Sequence, residues 1–414
     1  MQTRGFRYFL HSIATAALIL IGVLSFTGAQ VAQAAPGQLF VKPNGTGTLC
    51  TQAQSCALGT ALGKALQGDS IYLAQGTYTG SGGAVVALAK SLSLYGGWDG
   101  VPTGAIKRDP KTYESILDGQ DQRRVISISG AISPLIDGFT ITRGRDSLGG
   151  GIYSSNASPV ISNNVIKSNV ALLNGGGIYT SLGSPLITAN TITSNSAVYG
   201  GGLNSNDGDV TFHGNYVAGN QADYGGGLNV IRSTFTGTAN RIVDNHGSST
   251  WIVSGSQGGQ MLAANNVLAN NDGTAFTIYQ YNADLIHNTI VANQSNAVNS
   301  AYAATVTLTN NILAGNQDQS IFTWANATVS GSHNLFWGNA SDAFTGQHAV
   351  LADPKFVNAS QEDYHLRFGS PASDAGVLST IHTDLDGRPR DDGRPDIGAY
   401  ELKQWHRYLP FAGK

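Results

Sequence analysis

Charge is what this 414-residue chain has least of. Asp, Glu, Lys and Arg together make up 12% of it, and the formal net charge is −3. No basic stripe runs through it, which excludes a nucleic-acid or anionic-membrane binder. Cysteine is nearly absent. Cys50 and Cys56 are the only two, and no histidine accompanies them as a metal ligand would. Apolar runs long enough to cross a bilayer are also missing beyond the first 34 residues. Low charge does not mean disorder here, because 41% of the chain is hydrophobic.

What is there is a repeat. The phrase Asn-x-(apolar)-x-x-Asn occurs at Asn164–Asn169, Asn190–Asn195, Asn215–Asn220 and Asn240–Asn245. It continues at Asn265–Asn270, Asn288–Asn293, Asn311–Asn316 and Asn334–Asn339. Steps of 23 to 26 residues mean stacked identical units. Apolar runs of three to six residues, broken by Gly, Asn and Ser, fit strands and not helices. A triglycine phrase precedes Ile152, Ile178, Leu203 and Leu228, and Ser-Pro-apolar phrases stand at Ser158 and Ser184. Each unit therefore holds about three short strands, which makes one turn of a parallel β-helix, an all-β solenoid. Equal positions then stack at roughly the 4.8 Å strand spacing, so asparagines would form a ladder. Gly supplies corners with positive φ, and the repeated Asn residues are expected to tolerate the left-handed conformation there. Asp137 is read as a variant start of the same phrase.

The flanks differ. Residues 1–34 read as a secretory signal peptide: basic Met1–Arg7, apolar Ile13–Phe26 and Ala32-Gln33-Ala34 for cleavage. An uncleaved anchor is the alternative. Losing Arg4 and Arg7 takes the formal charge from −3 to −5. In an exported chain Cys50 and Cys56 are expected to pair as a disulfide. Alanine-leucine pairs from Ala57 to Leu66 have helical spacing and predict an amphipathic cap over the open first turn. This N-terminal cap with the first strands fills 35–90, and the repeats fill 91–349, with 99–115 as a loop leaving the solenoid. A C-terminal cap fills 350–401 and a tail 402–414.

The ending, Asp384-Leu-Asp386-Gly-Arg388-Pro-Arg390 through Asp396-Ile-Gly-Ala-Tyr400-Glu401, carries a resemblance. With the repeats it resembles secreted bacterial right-handed parallel β-helix proteins of the pectate-lyase-like superfamily that end in a choice-of-anchor Q region. The triglycine phrases are also similar to polymorphic outer-membrane-protein repeats. The resemblance implies right-handedness, export and a cell-surface setting. It implies no one chemistry, since that superfamily holds lyases, hydrolases, epimerases and adhesins.

Three groups of residues are candidates for function. Asp207, Asp223 and Arg232 come from neighbouring units and would be the catalytic set of a lyase or hydrolase. Asn-Thr-Asp, an Asp-Asp pair within the repeats and Arg-Ile-Lys, phrases expected of the superfamily's pectinases, are all missing. Tyr153, Tyr179, Asn204 and Asn229 should form one outward column, with Tyr199 and Tyr224 as a second pair. Flat rings beside amides suit a pyranose. Asp384, Asp386 and Asp392 could ligate Ca²⁺, or be neutralised by Arg388, Arg390 and Arg394. The expected function is an exported, non-catalytic, monomeric surface or matrix protein in contact with polysaccharide or a cell-surface protein, with no required cofactor. The alternative is a polysaccharide lyase or hydrolase acting on uronate polymers.

Overall fold

The computed structural model describes residues 37–255, 259–390 and 393–402. The expected leader (1–34), Asp392 and the tail beyond 402 lie outside the described residues. The chain is a parallel β-solenoid with three faces. One full turn illustrates the winding. Ile152–Ser155 lies on the third face, Val160–Ser162 on the first, Val165–Lys167 on the second, and Ile178–Ser181 returns to the third. The first and second faces have 12 strands each and the third has 10. A four-stranded flank sheet, Arg145–Leu148, Val170–Asn174, Ser196–Tyr199 and Gln221–Tyr224, is inserted between the second and third faces.

Inward positions stack as apolar columns because the register is regular. On the third face Ile126, Ile152, Ile178, Leu203, Leu228, Trp251, Phe276, Val298 and Ile321 are successive partners. On the second face Ile141, Ile166, Ile192, Val217, Ile242, Leu268, Ile290, Leu313 and Phe336 do the same. All of these side chains are buried. Removing them from water is the main drive for the coil.

Two asparagine ladders edge the second face. One runs Asn164, Asn190, Asn215, Asn240, Asn266, Asn288, Asn311, Asn334, and the other Asn169, Asn195, Asn220, Asn245, Asn271, Asn293, Asn316, Asn339. Asn215 shows the wiring. Its Nδ2 donates to Asn240 Oδ1 at 3.1 Å and to Ile187 O at 2.9 Å, and its Oδ1 accepts from the Asn190 backbone and side-chain amides. An Asn uses all its hydrogen-bonding capacity this way, so it can be buried without an orphaned group.

The ladder corrects three expectations. In the fifth unit the rungs are Asn266 and Asn271, not Asn265 and Asn270. The left-handed residue is the one before each rung: Asn163, Ala189, Ala239, Asn265, His287 and Asn310 along the first ladder all have φ near 52–57°. The rung Asn is held by its side chain, and its predecessor makes the bend. Asp137 does not start a ladder, because Phe139 N donates to Asn164 Oδ1 from the rung position. Asp137 instead gathers Arg108, Ser162 and Asn163, pinning the 99–115 loop back on the first face.

The helix is shorter than its apolar spacing, Leu58–Lys64, and turns Leu58 and Ala61 into the core. Cys50 and Cys56 are bonded beside it. The 350–401 region does not plug the far end. It doubles back along the solenoid, where Ile397, Ala399 and Tyr400 cover Ala218, Val243, Val267, Val291 and Ile312 on the outside of the second face. That face carries apolar residues outside as well as inside, and they need a cover. Phe344 and Ala349, just before this region, pack against the last turns of the core.

Candidate functional site

Corner geometry decides where the candidate residues go. The corner between the third and first faces opens on a left-handed residue in turn after turn: Asn156, Leu182, Asp207, Arg232, Gln280 and Tyr302. Asp207 and Arg232 are therefore stacked neighbours, as their sequence register suggests. Arg232 Nε and Nη2 donate to Asp207 Oδ1 and Oδ2, both at 2.7 Å. This bidentate pair lines an open depression of about 340 Å³ with Gly183, Ser184, Gly208, Asp209 and Thr234. The hydrogen bonds from Arg232 hold the Asp207 carboxyl below its usual range, and Asp207 raises the guanidinium in turn. Arg232 is thus held protonated and Asp207 ionised, so the first offers no free base and the second no proton to donate.

Asp223 does not join them. It is exposed on the flank strand Gln221–Tyr224, at the other end of the third-face strand Leu228–Ile231. Four strand residues span about 13 Å, so the catalytic trio does not converge on one groove.

The outward column divides. Tyr153 and Tyr179 stack with ring centroids 5.5 Å apart, and the Arg124 guanidinium lies over Tyr153 at 4.3 Å. Tyr179 is buried, and so are Asn204 and Asn229. The expected exposed column is therefore covered. Alternation does aim it away from the lumen, but the triglycine corner folds over it. A Cβ on Gly200 or Gly225 would meet the Asn204 or Asn229 Cβ at 2.9 or 3.0 Å, and both glycines have φ near 68°. Among the described residues neither polar atom of the Asn204 side chain finds a partner. Tyr199 and Tyr224 sit on the outer side of that cover. They stack at 5.2 Å, nearly parallel at 14°, with 39% and 49% of their surface exposed.

The acidic ending is committed internally. Asp384 accepts backbone amides from Asp386 and Arg388 on one oxygen and from Glu401 on the other. Asp386 pairs with His365 at 2.8 Å and Arg388 at 3.1 Å. Arg390 is buried against Glu401, Asn265 Oδ1 and the Gly398 carbonyl. Burial raises the Glu401 carboxyl to about 7 against the opposing pull of Arg390. Among the described residues no three His, Cys, Asp or Glu side chains are grouped to hold a metal ion. Sequence reading gave Arg390 as a neutraliser of the aspartates, and missed Glu401 as its buried partner. The signal available was a run of charges in a chain otherwise poor in them.

No protein-family model matches the chain, and no curated protein matches it. Among solved structures it is similar to a pectate lyase at 14% identity, covering 89% of this chain and 97% of that one with a TM-score of 0.48. XylC bound to xylose matches at 10% identity, 89% and 98% coverage and a TM-score of 0.48. An alginate lyase matches at 13% identity, 89% and 59% coverage and a TM-score of 0.36. These likenesses concern the winding of the chain and carry nothing about its chemistry.

Proposed function

We propose that this chain is an exported, non-catalytic surface or matrix protein that contacts polysaccharide through the Tyr199–Tyr224 platform. The exposed parallel stack of those two rings carries the reading, because it offers aromatic surface held rigid by the flank sheet. Asp223, Gln221 and Asn174 provide polar groups beside it. The Cys50–Cys56 disulfide supports export, since such bonds persist in oxidising compartments. Among the described residues no helix is long and apolar enough to cross a membrane. The protein acts as a monomer and requires no cofactor in this reading, with Asp384 serving the fold and not calcium.

The competing lyase or hydrolase reading needs a free acid–base pair. Asp207 and Arg232 neutralise each other, and Asp223 is turned to another flank. A glycan array tests the proposal. Wild type should bind at least one polysaccharide, and the Tyr199→Ala, Tyr224→Ala double variant should lose at least tenfold in affinity. A blank array sinks the proposal. Release of unsaturated sugars from polygalacturonate would replace it with the enzyme reading.

A further inference from the structure

A second line of aromatic rings lies where the flank sheet has ended. Tyr279, Tyr302 and Trp324 follow one another on three consecutive turns, at or beside the corner between the third and first faces. Their ring centroids are 5.5 and 4.7 Å apart, and the rings alternate in orientation by 75° and 62°. Tyr302 is 47% exposed and Trp324 42%. Phe322, two residues before Trp324 and on the same outward side by alternation, is 37% exposed. Phe322 also lines a depression of about 310 Å³ with Gln319, Thr323 and Phe344.

No packing need explains this line. Inward positions of the same turns are filled by Phe276, Val298 and Ile321. Tyr302 and Trp324 face solvent, with Tyr279 half-buried beside them, although the chain has a way to bury outward tyrosines, used on Tyr179. An exposed aromatic row that the fold does not require marks a contact surface.

The charges argue against an anionic partner. Between Arg241 and Lys355 the chain contains no lysine or arginine. The polar groups near the rings are Gln280, Asn299, Thr323 and Asn326, amides and a hydroxyl. A uronate polymer or an acidic protein would find no cation here. We infer that the Tyr279–Tyr302–Trp324 row is a binding site for a neutral polysaccharide running along the solenoid axis. One ring per turn repeats at the strand spacing of about 4.8 Å, close to the length of one pyranose unit. Because the rings stand at 75° and 62° to one another, a sugar chain passing along them would meet a ring face and a ring edge in turn. The site is separate from the Tyr199–Tyr224 platform and does not depend on it.

Affinity electrophoresis of the full chain tests the inference, with hydroxyethylcellulose, arabinoxylan and galactomannan as neutral polymers and polygalacturonate as the anionic one. Wild type should be retarded by at least one neutral polymer. The Tyr302→Ala, Trp324→Ala double variant should lose at least tenfold in that affinity, while Trp324→Phe retains most of it. The Tyr199→Ala, Tyr224→Ala variant, run alongside, separates failure of this site from failure of the first platform. The inference is overturned if no neutral polymer retards wild type, or if the Tyr302→Ala, Trp324→Ala variant is retarded as strongly as wild type.

Discussion

Turns with the flank sheet and turns without it differ consistently at one corner. From Ile178 to Asn190 the chain takes 12 residues and from Phe276 to Asn288 again 12, with one residue more from Val298 to Asn311 and three more from Trp251 to Asn266. The difference lies between the second ladder and the third face. Asn195 to Leu203 takes eight residues, and Asn293 to Val298 takes five. The longer corner makes the flank strand, buries the outward column at Asn204 and Asn229, and raises the Tyr199–Tyr224 pair above it. After it shortens, the third face is bare and Tyr302 and Trp324 stand in the open. The ladders hold the invariant part, so the corner can change length without disturbing the core. Surface character is therefore set by corner length, and fold by the ladder.

The most damaging change should be to a ladder rung in the middle of the file. Asn240→Ala removes the acceptor for two Asn215 amides and the donor to Phe212 O and Asn266 Oδ1. At 1–3 kcal/mol per orphaned buried group, a loss of roughly 3–5 kcal/mol is expected in urea unfolding. Asn334→Ala, at the last rung, breaks no onward rung and should lose clearly less. Equal losses at the two positions would mean that the ladder is not a cooperative file, and that the division of labour argued above is wrong.

His287 gives an effect of comparable size, and it is a pH effect. The side chain is buried under the C-terminal region, with Nδ1 3.2 Å from the Asp396 carbonyl and Nε2 2.9 Å from Asn310 Nδ2. Nε2 accepts from the Asn310 amide, so the ring is neutral. Burial, with Arg390 nearby, lowers its pKa to about 3. The unfolded chain binds the proton near pH 6.5, so His287 lends its full stability above 6.5 and loses it as pH falls toward 3. The loss is on the order of 5 kcal/mol. Glu401, raised to about 7, works the other way, and its contribution declines as pH rises from about 4.5 to 7. His287→Gln should flatten the acid limb of the stability profile between pH 6 and 4, and an unchanged slope would refute the assignment.

Gly237 probes how the two kinds of turn fit inside. A Cβ there would meet Trp251 Cη2 at 2.2 Å. Trp251 is the largest residue of its column and enters where the flank sheet has just ended. Gly237→Ala should destabilise by roughly 1–3 kcal/mol, and Trp251→Phe should recover part of that in a double-mutant cycle. Additive losses would show that the two side chains do not compete for one space.

Much of this was legible in the amino-acid order. The repeat, the strands and the stacking of Asp207 next to Arg232 follow from period and register, and the disulfide from the cysteine count and the expected export. Asn265 and Asn270 misled because two adjacent asparagines stand at each position, and only the three-dimensional register says which is the rung. The burial of Asn204 was hidden because alternation tells which way a side chain points, not what lies above it. The second-face cover was hidden because contacts such as Arg241 to Tyr400 join residues far apart in the chain. Tyr279, Tyr302 and Trp324 were within reach, since their steps of 23 and 22 match the repeat, but no shared motif marks them.

The smallest effect expected is at the Asp207–Arg232 corner. Both side chains are near half exposed, so the ion pair gains little over two hydrated ions and is screened by salt. Asp207→Asn should change unfolding free energy by at most about 1 kcal/mol, and less in high salt. It should also leave polysaccharide retardation unchanged, because neither aromatic platform includes this corner. A variant of normal stability that loses a measurable lyase or hydrolase activity would be a different matter. It would show that the pair opens in the presence of substrate, and the corner, not the rings, would then be the working part of the surface.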